Sequence, residues 1–127
     1  MKTEAQKRFK GSDNAEDLRQ FYGTENYHKL AAIVYTDGVK YLCDSRKCYW
    51  LLTDIMLLAL NVNGLKVQPF MTCELVRDGI GADLIFTDGN GNILFVHNIE
   101  MTDFADEGVC LYYIEGVLML QIGRAHV

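Results

Sequence analysis

The feature that most constrains the fold is a change of hydropathy period near residues 61–64. Before it, apolar residues recur at helical spacing; after it they alternate with a period of about two. Cys48, Leu51, Leu52, Ile55, Leu58 and Ala59 form an apolar stripe over 47–60, widened by Trp50 and Met56. Only Thr53 and Asp54 interrupt it, so the stripe predicts a buried central helix. Beyond Gly64, the segments 66–77, 82–87, 92–99, 109–114 and 117–120 read as strands. Asp78-Gly79-Ile80-Gly81, Asp88-Gly89-Asn90-Gly91 and Glu115-Gly116 have the composition of short turns. Short connections make neighbouring strands antiparallel. The expected fold is therefore α+β, with N-terminal helices packed on one face of an antiparallel meander of about five strands.

Upstream, Ser12 or Asp13 can cap a helix over 14–22, with Leu18, Phe21 and Tyr22 on one face and Gly23 to end it. The run 31–35 is apolar and partly β-branched. Thr36-Asp37-Gly38 then suits either a hairpin turn or a helix start, and a helix over 37–43 is the preferred reading. A chain of 127 residues holds one core. The expected division is a basic, frayed leader at 1–12 carrying Lys2, Lys7, Arg8 and Lys10, one domain at 13–120, and a tail at 121–127. That tail, Gln-Ile-Gly-Arg-Ala-His-Val, matches the translation of a common short-read sequencing adapter at all seven residues. It is expected to be non-native, from a metagenomic reading frame, and to leave Arg124 and His126 without function. The leader has no apolar segment behind it, and no run approaches the roughly eighteen apolar residues that span a bilayer. A soluble cytoplasmic protein without a membrane partner is expected.

Several blocks carry a resemblance: Leu18-Arg19-Gln20-Phe21-Tyr22-Gly23-Thr24-Glu25-Asn26-Tyr27, Tyr35-Thr36-Asp37-Gly38-Val39-Lys40-Tyr41-Leu42 and Tyr49-Trp50-Leu51-Leu52-Thr53-Asp54-Ile55. Asp88-Gly89-Asn90-Gly91, Thr102-Asp103-Phe104 and Gly116-Val117-Leu118 extend it. Over about residues 18–120 the chain resembles a family of small bacterial proteins of unknown function, often carried on plasmids or phages. The resemblance implies no activity and assigns no site residue.

The residues themselves offer few sites. Asp88-Gly89-Asn90-Gly91 fails as a calcium loop, because an EF-hand register puts Phe86 and His97 at the two essential ligand positions. Cys43, Cys48, Cys73 and Cys110 form no CxxC pair and read as small buried hydrophobes, so no metal and no cofactor is expected. Glu25, Tyr27, His28, Asp37 and Trp50 are pocket candidates, with Glu25 and His28 a conceivable acid–base pair. No nucleophile elbow, phosphate loop or second role accompanies them, so a non-enzyme is expected.

Charge is more informative. The chain carries a formal charge of -5, and no lysine or arginine occurs from Asp78 to Leu120. Such a field repels nucleic acid and attracts basic protein surfaces. Asp83, Asp88, Glu100, Asp103, Phe104, Asp106 and Glu107 are the interface candidates, with Phe104 as the apolar anchor. The leading expectation is a small acidic inhibitor from a mobile element that occupies the nucleic-acid channel of a host defence nuclease, as anti-CRISPR proteins do. The alternatives are a small-molecule or enzymatic domain around Tyr27, His28 and Trp50, and a homodimer joined through an edge strand.

Overall fold

A computed structural model describes residues 8–121. Three helices, α1 (Asp37–Arg46), α2 (Tyr49–Asn61) and α3 (Asn63–Lys66), accompany seven strands. The strands are β1 (Tyr27–Leu30), β2 (Ile33–Thr36), β3 (Phe70–Asp78), β4 (Gly81–Thr87), β5 (Ile93–Ile99), β6 (Gly108–Ile114) and β7 (Val117–Leu120). They form one sheet in the order β1-β2-β7-β6-β3-β4-β5. The class is α+β, as the change of period implies. No helix among the described residues is long and apolar enough to cross a membrane.

The sheet departs from a meander in two ways. The connection 100–107 returns the chain across the sheet, so β6 pairs with β3 instead of β5. β7 then lies between β6 and β2, and its pairing with β2 is parallel. The last strand is therefore interior, and the sheet's edges are β1 and β5. The β1–β2 hairpin is the part the strand signals miss. It turns at Ala31, which adopts φ +52 without the glycine or asparagine that usually marks such a turn. Leu30-Ala31-Ala32-Ile33 thus hides a turn inside an apolar run.

The helix expected over 14–22 is also absent. Two short 3-10 helices stand there, Gly11–Asp13 and Leu18–Gln20. Asn14 explains the difference. Its side chain accepts from Cys110 N at 2.8 Å and donates to the carbonyls of Cys110 and Gln121, at 3.2 and 2.8 Å. Its amide is spent capping the sheet, and the chain runs along β6 instead of coiling. The contact is close: a Cβ on Gly11 would sit 2.6 Å from the Gln121 carbonyl oxygen.

Register sorts the sheet into two faces. Tyr35, Leu118, Leu111, Cys73 and Phe86 lie on the face toward the helices and join Leu42, Leu51, Leu52 and Ile55 in the core. Of the expected leader, residues 8–12 fall within the described residues, and Arg8 and Phe9 are fixed on the opposite face. The Arg8 guanidinium donates from Nε and Nη2 to the Glu74 carboxylate at 2.8 and 2.7 Å, and Glu74 is only 4% exposed. Phe9 is buried against Val76, Ile85 and Cys110. Lys2 and Lys7, and in the tail Arg124 and His126, lie outside the described residues.

Candidate functional site

Asp37 opens α1, and its carboxylate gathers the loop before β1. Oδ2 accepts from the backbone N–H of Glu25 and Asn26, at 3.0 and 3.2 Å, and Oδ1 meets His28 Nε2 at 2.8 Å. Asp37 N in turn donates to Thr24 Oγ1 at 2.8 Å. The His28 bond first, and the Glu25 N–H second, hold the Asp37 carboxyl down at about 2. This lattice fixes the 23–26 loop to the helix. Glu25 contributes only its backbone, and His28 pairs with Asp37 instead of with the Glu25 carboxylate. Tyr27 points to the opposite face of the sheet, opposite Thr36 in register, and is 66% exposed. Trp50 begins α2, away from this lattice. The five pocket candidates do not form one pocket.

The interface candidates divide as well. Asp83 is buried, and its carboxylate accepts from Asn98 Nδ2 at 3.0 Å. Asp88 closes its own turn, accepting from Asn90 N and Asn92 Nδ2, each at 2.8 Å. Gly89 and Gly91 supply the positive φ that this turn needs, so its carboxylate serves the backbone. Asp106 accepts from Arg46 Nε at 2.9 Å, and Asp17 takes the rest of that guanidinium at 2.7 and 2.9 Å. Phe104 is 1% exposed and belongs to the core, which removes it as a surface anchor.

Glu100, Asp103 and Glu107 remain exposed, and their carboxylates meet no lysine or arginine among the described residues. The cation nearest in sequence is turned inward. Arg77 donates to the carbonyls of Phe104, Gly79 and Gly81 and thereby staples the β3–β4 turn to the 100–107 loop. Thr102 N donates to Ile80 O at 2.9 Å across the same junction. Ile80 and Met101 are left standing out of it, 69% and 75% exposed.

Trp50 rejoins the site here. Trp50, Ile99, Met101, Thr102 and Asp103 line a groove of about 450 Å³ between the start of α2 and the 100–107 loop. One helical turn beyond Trp50, burial pushes the Asp54 carboxyl up, while His97 on β5 pulls it the other way. The groove thus sets Trp50 and the exposed Met101 beside the Asp103 carboxylate, with the exposed Glu100 adjacent to Met101 in the chain. Met101 and Ile80 are absent from the candidates drawn from sequence. The available signal was an isoleucine at a turn tip and a methionine between acids, both apolar where solvation favours polar residues. Among the described residues, no three His, Cys, Asp or Glu side chains gather to hold a metal ion, and the four cysteines are buried and unbridged.

The sequence model of a family of unknown function, DUF6876, matches residues 12–122. No curated protein and no solved structure matches the chain.

Proposed function

The chain belongs to this family of unknown function, and from the acid-rimmed groove we propose that it is a protein-binding domain whose partner presents a basic surface. One observation carries this: Trp50 and Met101 line the same groove as Asp103, whose carboxylate meets no lysine or arginine among the described residues. Aromatic and methionine side chains supply the desolvated centre that anchors an interface, and a charged rim sets partner choice and encounter rate. A nucleic-acid channel is lined with lysine and arginine, so it is the surface that an acidic competitor fits best. The proposed role is accordingly that of a small inhibitor, acting inside a bacterial cell, that blocks the channel of a defence nuclease.

The test places a photo-crosslinking amino acid at Met101 and, separately, at Val67, which is equally exposed but outside the groove. A protein captured from position 101 alone, and displaced by added duplex DNA, is the expected result. Equal capture at both positions, or capture indifferent to DNA, overturns the proposal.

A further inference from the structure

We propose that the cleft between the 21–27 segment, the start of α1 and the sheet positions Thr36, Met119 and Tyr112 binds an uncharged heteroaromatic ring of nucleoside size. Phe21, Tyr22, Tyr27, Thr36, Tyr112 and Met119 line this cleft, which encloses about 400 Å³. The register makes it a continuous surface: Tyr27 stands opposite Thr36, and Met119 opposite Tyr112. Its volume lies in the range of small-molecule sites, and aromatic walls of this kind stack planar rings.

Thr36 marks it as more than an apolar groove. It is 8% exposed, yet its hydroxyl has no hydrogen-bond partner among the described residues. It occupies the residue before α1 and makes no cap to that helix. A buried hydroxyl left unpaired costs free energy, and one lining a cleft is satisfied by whatever fills the cleft. The same wall includes Gly38 in the first turn of α1, where the partial positive charge of the helix end favours a ring carbonyl. Among the described residues no charged side chain lines the cleft, which suits a neutral ring. Tyr22 and Tyr27, 78% and 66% exposed, flank the mouth. The Asp37–His28–Thr24 lattice holds the 23–26 wall in place before any ligand arrives, which lowers the ordering cost of binding. A nucleobase combines a stacking face with an edge that both accepts from and donates to a hydroxyl.

The probes are adenosine, guanosine, cytidine and uridine, each titrated into the full chain while backbone amide shifts are followed by NMR. Saturable binding of at least one is expected, with shifts at Thr36, Tyr112 and Met119. Thr36→Val removes the hydroxyl at nearly constant volume and should weaken that binding about tenfold, while Thr36→Ser retains it. Tyr27→Ala, at an exposed position that cannot unfold the core, should weaken it similarly. Trp50→Ala should leave it unchanged, which separates this cleft from the partner groove. Absence of saturation with all four probes overturns the assignment. So does full affinity in both Thr36→Val and Tyr27→Ala, or shifts centred on Trp50.

Discussion

Replacing Arg46 with methionine tests whether acid at the 100–107 loop is structural or free. The Arg46 side chain is 11% exposed and ties Asp17 near the N-terminus, the end of α1 and Asp106 of the loop into one cluster. Arg46→Met keeps the aliphatic stem and removes the charge. Asp17 then retains only the Tyr41 hydroxyl, which donates at 2.7 Å, and Asp106 loses its cation. Removing one member of a fully buried pair costs about 3–5 kcal/mol, and an exposed pair contributes about 0.2–1 kcal/mol. The Asp17 and Asp106 side chains are 37% and 22% exposed, which places this cluster between those limits, at about 2 kcal/mol. For a domain of this size that is a fall in melting temperature of about 6–10 °C. Urea and thermal unfolding followed by circular dichroism measure it, and a double-mutant cycle with Asp106→Asn isolates the pair, with an expected coupling of about 1 kcal/mol. A loss below about 0.5 kcal/mol, or no coupling, would refute the view that Asp106 is held by the fold.

Three further outcomes follow from the geometry. Phe104→Ala should cost about 3–4 kcal/mol, measured by urea unfolding, because it empties a core site; a change near zero would return Phe104 to the surface. Gly11→Ala should destabilise by about 1–3 kcal/mol in the same assay, since its Cβ meets the Gln121 backbone, and a neutral result would contradict that packing. The Asp37 carboxyl sits at about 2, below its ordinary 3.8, so its contribution is fully present above that ordinary value and is lost as the pH falls toward 2. Wild type should therefore be more stable than Asp37→Asn at pH 5, and the gap should close toward pH 2; a gap independent of pH would be inconsistent with the His28 pairing.

The helical half was legible wherever an apolar stripe faced a single core. α2 is expected over 47–60 and found at Tyr49–Asn61, because Leu51, Leu52, Ile55 and Ala59 repeat at helical spacing. The strands from β3 onward were legible as apolar runs between turn signals, although β3 begins at Phe70, after α3, and not at 66. What escaped was set by long-range contacts. Asn14 reads as a helix former only until Cys110 and Gln121 claim its amide, and the Ala31 turn is enforced by strand pairing, not by its own conformational preference. The charge bias did not reveal which of these carboxylates the fold uses internally. Asp83, Asp88 and Asp106 each answer an internal donor that no spacing rule predicts, and Phe104 turns inward while Met101 turns out.

On the proposed reading, Glu100 and Asp103, together with Trp50, form the contact surface for a basic partner. Isothermal titration of the captured partner against wild type, Glu100→Lys/Asp103→Lys and Trp50→Ala, at about 0.05 and 0.5 M salt, tests it most directly. Affinity should fall at least about tenfold in both variants, and the wild-type affinity should weaken with salt. Affinity that survives charge reversal and the loss of Trp50, or that falls equally with a Glu115→Lys control at the far end of β6 from this loop, would contradict it.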